Sequence, residues 1–304
     1  MKKVFAIILN FNGNGEMSNK CIDSLLKTSH KNHTLTIVVI DNGSKDNSVE
    51  NIKREHEKDI ILIENKINLG FSGGSNTGAE YALKNGADFV MFINNDTVSD
   101  RGLIDNLVRR AEPDVIGGVV PKIYFEKGHE FHKERYGKED LGKVIWYAGG
   151  KMDFENLLAS NIGVDEVDHG QFDEAYATEL ATGCCFLIKA DVLSKVGLFD
   201  DRYFLYYEDA DLTERIKKAG YKIYYEPKAM LWHISAASSG IGSELQDYYI
   251  TRNRLLFGMK YASIRTKIAL VRESMNLLRK GRKWQKVAVR DFYLNKSGRG
   301  SFKI

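Results

Sequence analysis

ADFVMFINNDT, residues 87–97, is an apolar run that breaks off on Asn94, Asn95, Asp96 and Thr97. Its apolar part shows no alternation. That is the pattern of a strand covered on both faces, as in the interior of a parallel sheet. A buried strand ending on two amides, a carboxylate and a hydroxyl is either a simple turn or a place where charged chemistry sits at the rim of the sheet.

The same pattern recurs on both sides of it. VFAIILN (4–10), TLTIVVID (34–41), DIILIEN (59–65) and DVIGGVV (114–120) read as further strands. Helix-competent stretches separate them. One carries Cys21, Leu25 and Leu26 on one face, and one runs from Asp46 to Glu57 with Asp46 as N-cap. A short one, NTGAEYALKNG (76–86), is stopped by Gly86, and the last spans Leu103 to Ala111. Strand–helix alternation of this kind predicts an α/β fold, a mostly parallel Rossmann-like sheet with helices on both faces. Ligands then sit beyond the carboxyl ends of the strands. The stretches expected there are NFNG, DNGSKD, NKINLGFSGG and NNDT.

From Ile123 to Glu179 the chain turns charged, aromatic and glycine-rich, which predicts loops with short antiparallel strands. TGCCFLIK (182–189) and YKIYYEP (221–227) read as later strands, ADVLSKVG as a short helix closed by Gly197, and LYYEDADLTERIKKAG (205–220) as a loop leading into a helix. Three prolines in 304 residues speak against long disordered linkers. MKKVFAIILNFNG mimics a signal peptide, but its apolar stretch is short and no small-residue cleavage site follows, so it reads as the first strand. No run reaches the length of a membrane span. Cys21, Cys184 and Cys185 form no CxxC pair. A reducing cytoplasm is the simplest compartment, and Cys184 and Cys185 read as thiols buried in a strand.

Charge is unevenly distributed. From Thr251 onward there are 15 Lys+Arg against Glu273 and Asp291, net +13, while the rest of the chain carries 29 basic and 39 acidic residues, net −10. A basic tail on an acidic body suggests an anionic surface as partner, phospholipid or nucleic acid. Within the tail, Ile264, Ile268, Val271, Met275 and Leu278 fall on one helical face, with Lys267, Arg272 and Arg279 off it. Such a helix either lies on a bilayer surface or packs on the body or on a second subunit.

Four stretches could carry chemistry. GFSGGSNTG (70–78) fails as a phosphate-binding P-loop, because Ala79 and Glu80 stand where Lys and Ser/Thr are needed, and it also fails G-x-G-x-x-G. It remains a glycine-lined approach to a helix or a tight loop. Asp41 could accept from a ribose or base, or cap the next turn. Asp96 could hold Mg²⁺ or Mn²⁺ if a phosphate supplies other ligands. Glu208, Asp209 and Asp211 could simply complement a helix N-terminus, but three carboxylates in four residues exceed that need, and one could be a base. His233, in WHISAASSG, is a further candidate beside the structural roles a histidine often has.

The order of these motifs is more telling than any one of them. ILNFNG, VIDNGSKDNS, NLGFSGGSN, FINNDT, ATGCCFLIKADVLSKVGLFDDRYFLYYEDADLTERIKKAGY and LWHISAASSG resemble the successive motifs of glycosyltransferase family two, inverting enzymes of the GT-A fold. GLFDDRYFLYYEDADL is similar to the rhamnosyltransferase-like branch of bacterial surface-polysaccharide synthesis. The resemblance covers about residues 3 to 257, including YYITRNRLLF. It implies a GT-A domain over 1–257, its nucleotide-binding half 1–120 and its acceptor and catalytic half 121–257, followed by a basic amphipathic extension, 258–304.

Carried over, the resemblance implies that Asn10, Phe11, Asn12 and Asp41 meet the donor nucleotide, Phe11 against the base. It adds the Asn68 to Asn76 loop, with Gly70, then Asn94 and Asn95 at the fourth strand end, and Arg252 near the phosphates. Asp96 and His233 would hold Mg²⁺ or Mn²⁺, and Asp209 would be the base, with Glu208 and Asp211 on the acceptor side. The family's D-x-D has Asn94 in its first place here, which implies weak metal affinity until the donor diphosphate adds its charge. The implied donor is a dTDP- or UDP-sugar, with dTDP-rhamnose among the candidates, and the acceptor a glycan or lipid-linked glycan. The implied setting is the cytoplasm, at the inner face of the cell membrane, with an anionic membrane surface and a homo-oligomer as further partners and no nucleic acid. Two other readings are a sugar-1-phosphate nucleotidyltransferase, which would want basic residues earlier in NFNGNGEMSNK, and a membrane-tethered sugar-nucleotide-binding subunit without catalysis.

Overall fold

The computed structural model describes residues 1–234 and 242–303. Its strands are β1 (Lys2–Asn10), β2 (His33–Asp41), β3 (Ile60–Glu64), β4 (Phe89–Asn94), β5 (Thr97–Ser99), β6 (Ile116–Phe125), β7 (Ile145–Tyr147), β8 (Gly150–Asp153), β9 (Leu158–Asn161), β10 (Tyr176–Thr178), β11 (Cys185–Lys189) and β12 (Lys222–His233). The helices are α1 (Glu16–Leu26), α2 (Ser48–His56), α3 (Gly70–Lys84), α4 (Leu103–Ala111), α5 (Ala190–Val196), α6 (Glu208–Lys218), α7 (Glu244–Tyr261), α8 (Ile264–Lys280) and α9 (Lys283–Tyr293).

The large sheet runs β10-β12-β6-β11-β4-β1-β2-β3. β3, β2, β1 and β4 are parallel neighbours, and so are β6 and β12. Antiparallel β11 joins the two blocks. The wholly buried β6 therefore does not adjoin β4, although its sequence follows β4 and α4. The result is the mostly parallel sheet of the GT-A fold. The crossover helices close over it, α3 on β1 and β2, α4 on β6 and β12. The middle of the chain supplies the short antiparallel pieces: β7 on β6, β10 on β12, and the β8–β9 pair.

Four expectations need correction. The glycine stretch is not a loop before a helix at Asn76; it is the first turns of α3, which starts at Gly70. The helix lies so close to the sheet that a Cβ at Gly74 would come within 2.4 Å of Leu9, and one at Gly78 within 2.4 Å of Ile7. These glycines are there for helix–strand contact. The strand around YKIYYEP does not end at Pro227. Its ladder with β6 breaks between Glu226 and Met230, where the proline cannot donate, and resumes to His233. His233 thus ends a strand, and the small-residue loop after it, 235–241, lies outside the described residues. α2 starts at Ser48, and Asp46 caps from one position further out, accepting from Ser48 N–H at 3.1 Å. In α1 the buried face is Cys21, Ile22 and Leu25, and Leu26 is exposed.

The boundary expected after residue 257 falls inside α7. The C-terminal helices share a core with the rest: Leu255, Phe257, Leu270 and Val289 cluster with Tyr203 and Ala210 of the segment around α6. α8 buries Thr266, Leu270 and Ser274. Ile264, Ile268, Val271 and Met275, the expected apolar face, stay exposed, while Leu278 packs half-buried on the body. Among the described residues no helix is long and apolar enough to cross a membrane.

Candidate active site

The polar end of β4 meets the end of β12. β5 turns back from Asp96 and pairs antiparallel with β12, setting His233 opposite Thr97. Asp96 Oδ1 then lies 3.1 Å from His233 Nε2. That oxygen is buried, with no hydrogen-bond partner among the described residues. Trp146 packs edge-on against the His233 ring, centroids 4.7 Å apart, and fixes its plane. A carboxylate oxygen without a donor facing an imidazole nitrogen suits a divalent cation of the Mg²⁺ or Mn²⁺ kind. Among the described residues no group of three or more His, Cys, Asp or Glu side chains gathers to hold a metal. The pair therefore fits a cation that takes its remaining ligands from a diphosphate and water, in keeping with Asn94 in place of an acid.

The rest of this rim is cross-linked. Asn95 Nδ2 donates to Ser18 Oγ at 3.0 Å, and that hydroxyl donates to Asn10 Oδ1 at 2.8 Å. Asn10 Nδ2 donates to Asp41 Oδ1 at 2.9 Å. Asp41 also accepts from Ser44 Oγ, Ser44 N–H and Gly43 N–H. Its two oxygens are filled by the turn, so the capping role is the one this geometry displays. Asn12 Oδ1 accepts from Lys45 N–H at 2.9 Å. Asn68 caps α3, accepting from Gly70 N–H at 2.8 Å, while Asn42 bridges Asn68 and the Gly70 carbonyl. Phe11, by contrast, is 37% exposed at the rim, free to take a flat base.

Asn76 and Arg252 are turned away from this rim, contrary to expectation. Asn76 is buried and spends its amide on Phe199 and Asp201. Arg252 is 2% exposed and donates to main-chain carbonyls. Asp211 is also structural: it is fully buried, paired with Arg215 at 2.8 Å and Lys260 at 2.5 Å, and accepts from Tyr261 Oη.

Glu208 and Asp209 behave differently from Asp211. Asp209 is partly buried, its Oδ2 accepting from Gly183 N–H at 3.1 Å and its Oδ1 from Ala210 N–H at 2.7 Å. Burial raises its proton affinity, against the pull of those N–H groups. Glu208 is buried, its Oε2 without a partner among the described residues; burial, then the charge of Asp209, pushes it well above the usual carboxylate range. Burial thus raises the proton affinity of both neighbouring carboxyls, and the charge of Asp209 adds to the effect on Glu208. Gly183 ties Asp209 to the β4 end, because the next residue's carbonyl, Cys184 O, accepts from Asn94 N–H at 2.8 Å.

Sequence reasoning missed Asn42, Trp146, Gly183 and Asn253. Asn42 and Asn253 stood beside residues that were singled out, while Gly183 acts through its main chain, which no side-chain pattern reveals.

Comparison with known proteins bears on the family and the fold. The family model for glycosyl transferase family 2 matches residues 5–197. An N-acetylglucosaminyl-diphospho-decaprenol L-rhamnosyltransferase of Mycobacterium tuberculosis is 44% identical over 59 residues, 19% of each chain. The O-antigen biosynthesis protein RfbC of Myxococcus xanthus is 22% identical over 77% of this chain and 17% of its own. A poly-beta-1,6-N-acetyl-D-glucosamine synthase of Staphylococcus aureus is 26% identical over 67% of this chain and 44% of its own. The chain thus spans less than half the length of these curated relatives. Among solved structures, GalNAc-T7 with UDP, GalNAc and Mn²⁺ superimposes with a TM-score of 0.62 at 16% identity, over 97% of this chain and 57% of that one. Mannosyltransferase PcManGT from Pyrobaculum calidifontis, in complex with GDP-Man and Mn²⁺, gives 0.53 at 14% identity, over 97% and 88%. At such identities the likeness shows the fold alone, and the family follows from the sequence match over most of the chain: this protein belongs to glycosyl transferase family 2.

Proposed function

We propose that the chain transfers a sugar from a nucleoside diphosphate, dTDP or UDP, to a hydroxyl of a glycan or lipid-linked glycan, with inversion at the anomeric carbon. The observation that supports this most is the placement of Asp209: a carboxylate in the first turn of α6, its proton affinity raised by burial, tied through Gly183 to the strand end that carries Asp96. Asp209 takes the proton of the acceptor hydroxyl as its oxygen bonds to the anomeric carbon. The bond from that carbon to the diphosphate breaks, and the diphosphate leaves with the electron pair. Asp96 and His233 would hold the cation, which when bound neutralises charge on the diphosphate. Phe11 offers its exposed face to the base, and a base contact with Asp41 would exchange one of the donors now on that carboxylate. Thermal stabilisation by a panel of dTDP-, UDP- and GDP-sugars, each with and without Mn²⁺, tests the reading. Stabilisation by one donor and only with metal supports it; none by any donor counts against it.

A lipid-linked acceptor would be met at a bilayer, and α8 supports a place at the inner face of the cell membrane. Its exposed Ile264, Ile268, Val271 and Met275 form one apolar stripe among Arg265, Lys267, Arg272 and Arg279. Each basic residue near an anionic surface contributes about 1 kcal/mol. Residues 298–301 bond to α7, so deleting the tail would disturb the body, and point changes are the cleaner probe. Ile268→Ser with Met275→Ser should abolish co-sedimentation with phosphatidylglycerol vesicles. Equal sedimentation of variant and parent would remove this role.

A further inference from the structure

The turn that delivers Asp209 is held in an unfavourable conformation. Phe204, Tyr206 and Tyr207 have φ of 66°, 70° and 73°, in the left-handed region that residues with a Cβ avoid. Tyr207 is the residue before α6, so its conformation sets the direction in which the helix, and Asp209 in its first turn, leaves the turn. Three such residues in four are kept only if neighbours over-determine them.

Two side chains of α7 do so. Asn253 Nδ2 lies 2.8 Å from each of the carbonyls of Tyr203, Leu205 and Tyr206. Arg252 Nη2 donates to Tyr203 O at 2.9 Å and Arg202 O at 3.1 Å, and its Nη1 donates to Gly298 O at 2.6 Å. The guanidinium lies over the rings of Tyr248 and Tyr249 at 5.3 and 5.2 Å. Gly298 N–H returns a bond to Arg202 O at 2.9 Å, so the C-terminal segment closes the clamp from the far side. On the donor side of the same turn, Phe204 O accepts from Ser72 N–H at 3.2 Å, and a Cβ on Gly70 would come within 2.4 Å of that carbonyl oxygen. The turn therefore touches the start of α3 at one end and the base at the other.

We propose that Arg252 and Asn253 are positioning residues for the base: they hold the turn 202–207 in its left-handed form and through it aim Asp209 at the acceptor hydroxyl. This rests on Asp209 being the base. It differs from the phosphate contact that the resemblance implied for Arg252, since a buried guanidinium committed to carbonyls has no face left for a diphosphate. A lysine at 252 keeps the charge but offers no planar fork to span Gly298 and the 202–203 carbonyls at once.

The experiment compares the full-length chain with Arg252→Lys and Asn253→Ser, each in the parent and in an Asp209→Asn background. Hydrogen-exchange mass spectrometry reads the turn without any substrate. Peptides covering 202–212 should lose protection while those of β2 and β4 keep theirs. Binding of UDP with Mn²⁺ should change little, whereas sugar transfer should fall by about 10- to 100-fold, the effect of a displacement near 1 Å. In the Asp209→Asn background the same changes should cost no more than about threefold, because a residue acting through Asp209 has nothing left to aim. Leu107→Ala, a core change in α4, is the stability control and should cost transfer equally little in both backgrounds. An equal loss of transfer in both backgrounds, loss of UDP binding in step with transfer, or unaltered protection of 202–212 would overturn the proposal. If the parent transfers no sugar, the proposed function fails, and the exchange pattern alone decides the clamp.

Discussion

Replacing Asp209 by Asn separates chemistry from fold more cleanly than any other single change. In the parent, Asp209 Oδ2 accepts from Gly183 N–H at 3.1 Å and Oδ1 from Ala210 N–H at 2.7 Å. An amide keeps one acceptor and turns an NH₂ toward the other N–H. One hydrogen bond is lost, about 0.5–1.5 kcal/mol. Removing a carboxylate from a site where burial raises its proton affinity works the other way. The two effects largely cancel, so the melting temperature should move by no more than about 4 °C in a chain of this size. A positioned base contributes about 10²–10⁴ in rate, or about 2.7–5.5 kcal/mol of activation free energy. Transfer should therefore fall by that factor, with UDP–Mn²⁺ affinity within a few-fold of the parent. The assay follows transfer and donor hydrolysis together, with melting and calorimetric nucleotide binding on the same samples. Near-normal transfer by the variant, or a rate loss matched by a loss of nucleotide affinity, would refute the reasoning.

Asp96→Ala should weaken Mn²⁺-dependent UDP binding by at least about tenfold, the lower bound for residues only one shell further from a metal. Its melting temperature without nucleotide should stay near the parent's, and unchanged binding by calorimetry would leave Asp96 as a turn residue. Glu208→Gln should change how stability depends on pH. Burial, helped by the charge of Asp209, raises the Glu208 pKa in the folded state, so the folded chain holds a proton the unfolded chain releases from about pH 4.3 upward. Stability is then lost as pH rises from there toward the folded pKa. The variant should gain melting temperature over the parent at pH 8 relative to pH 5; an equal difference at both values would contradict this. Gly78→Val should cost about 1–3 kcal/mol by overpacking, since even its Cβ would meet Ile7 at 2.4 Å. Urea denaturation measures that, and a variant of parental stability that has lost nucleotide binding would return the glycine stretch to the donor-nucleotide contact that the resemblance implied.

Most of the parallel sheet was legible because its strands are uninterrupted apolar runs between helix-competent stretches, and β1, β2 and β4 fall on VFAIILN, TLTIVVID and ADFVMFI. What periodicity could not give was order: β11 pairs antiparallel between β4 and β6, a choice made by tertiary contact. The glycine stretch misled for a physical reason. Glycine disfavours helix by local propensity, but Gly74 and Gly78 are what allow α3 to approach Leu9 and Ile7, and packing outweighs propensity. Pro227 misled in the same manner, since a bulge lets β12 continue past it to His233. At the site, the sequence singled out Asp96, His233 and Asp209, and the structure sets Asp96 beside His233 and links Asp209 to the same strand end through Gly183. It could not show that Asn76, Arg252 and Asp211 spend their polar groups on the protein itself, because that depends on partners far along the chain: Phe199, Gly298 and Lys260.

The central claim is a single displacement at the anomeric carbon, with Asp209 on the acceptor side and Asp96 and His233 on the side of the leaving diphosphate. The most direct test is proton NMR of the product formed from a nucleoside diphosphate sugar of known anomeric configuration, incubated with Mn²⁺ and a lipid-linked glycan acceptor. The account predicts a new glycoside of the opposite configuration, formed by the parent and lost in Asp209→Asn. A product that retains the donor's configuration, or one formed equally well by Asp209→Asn, would contradict it.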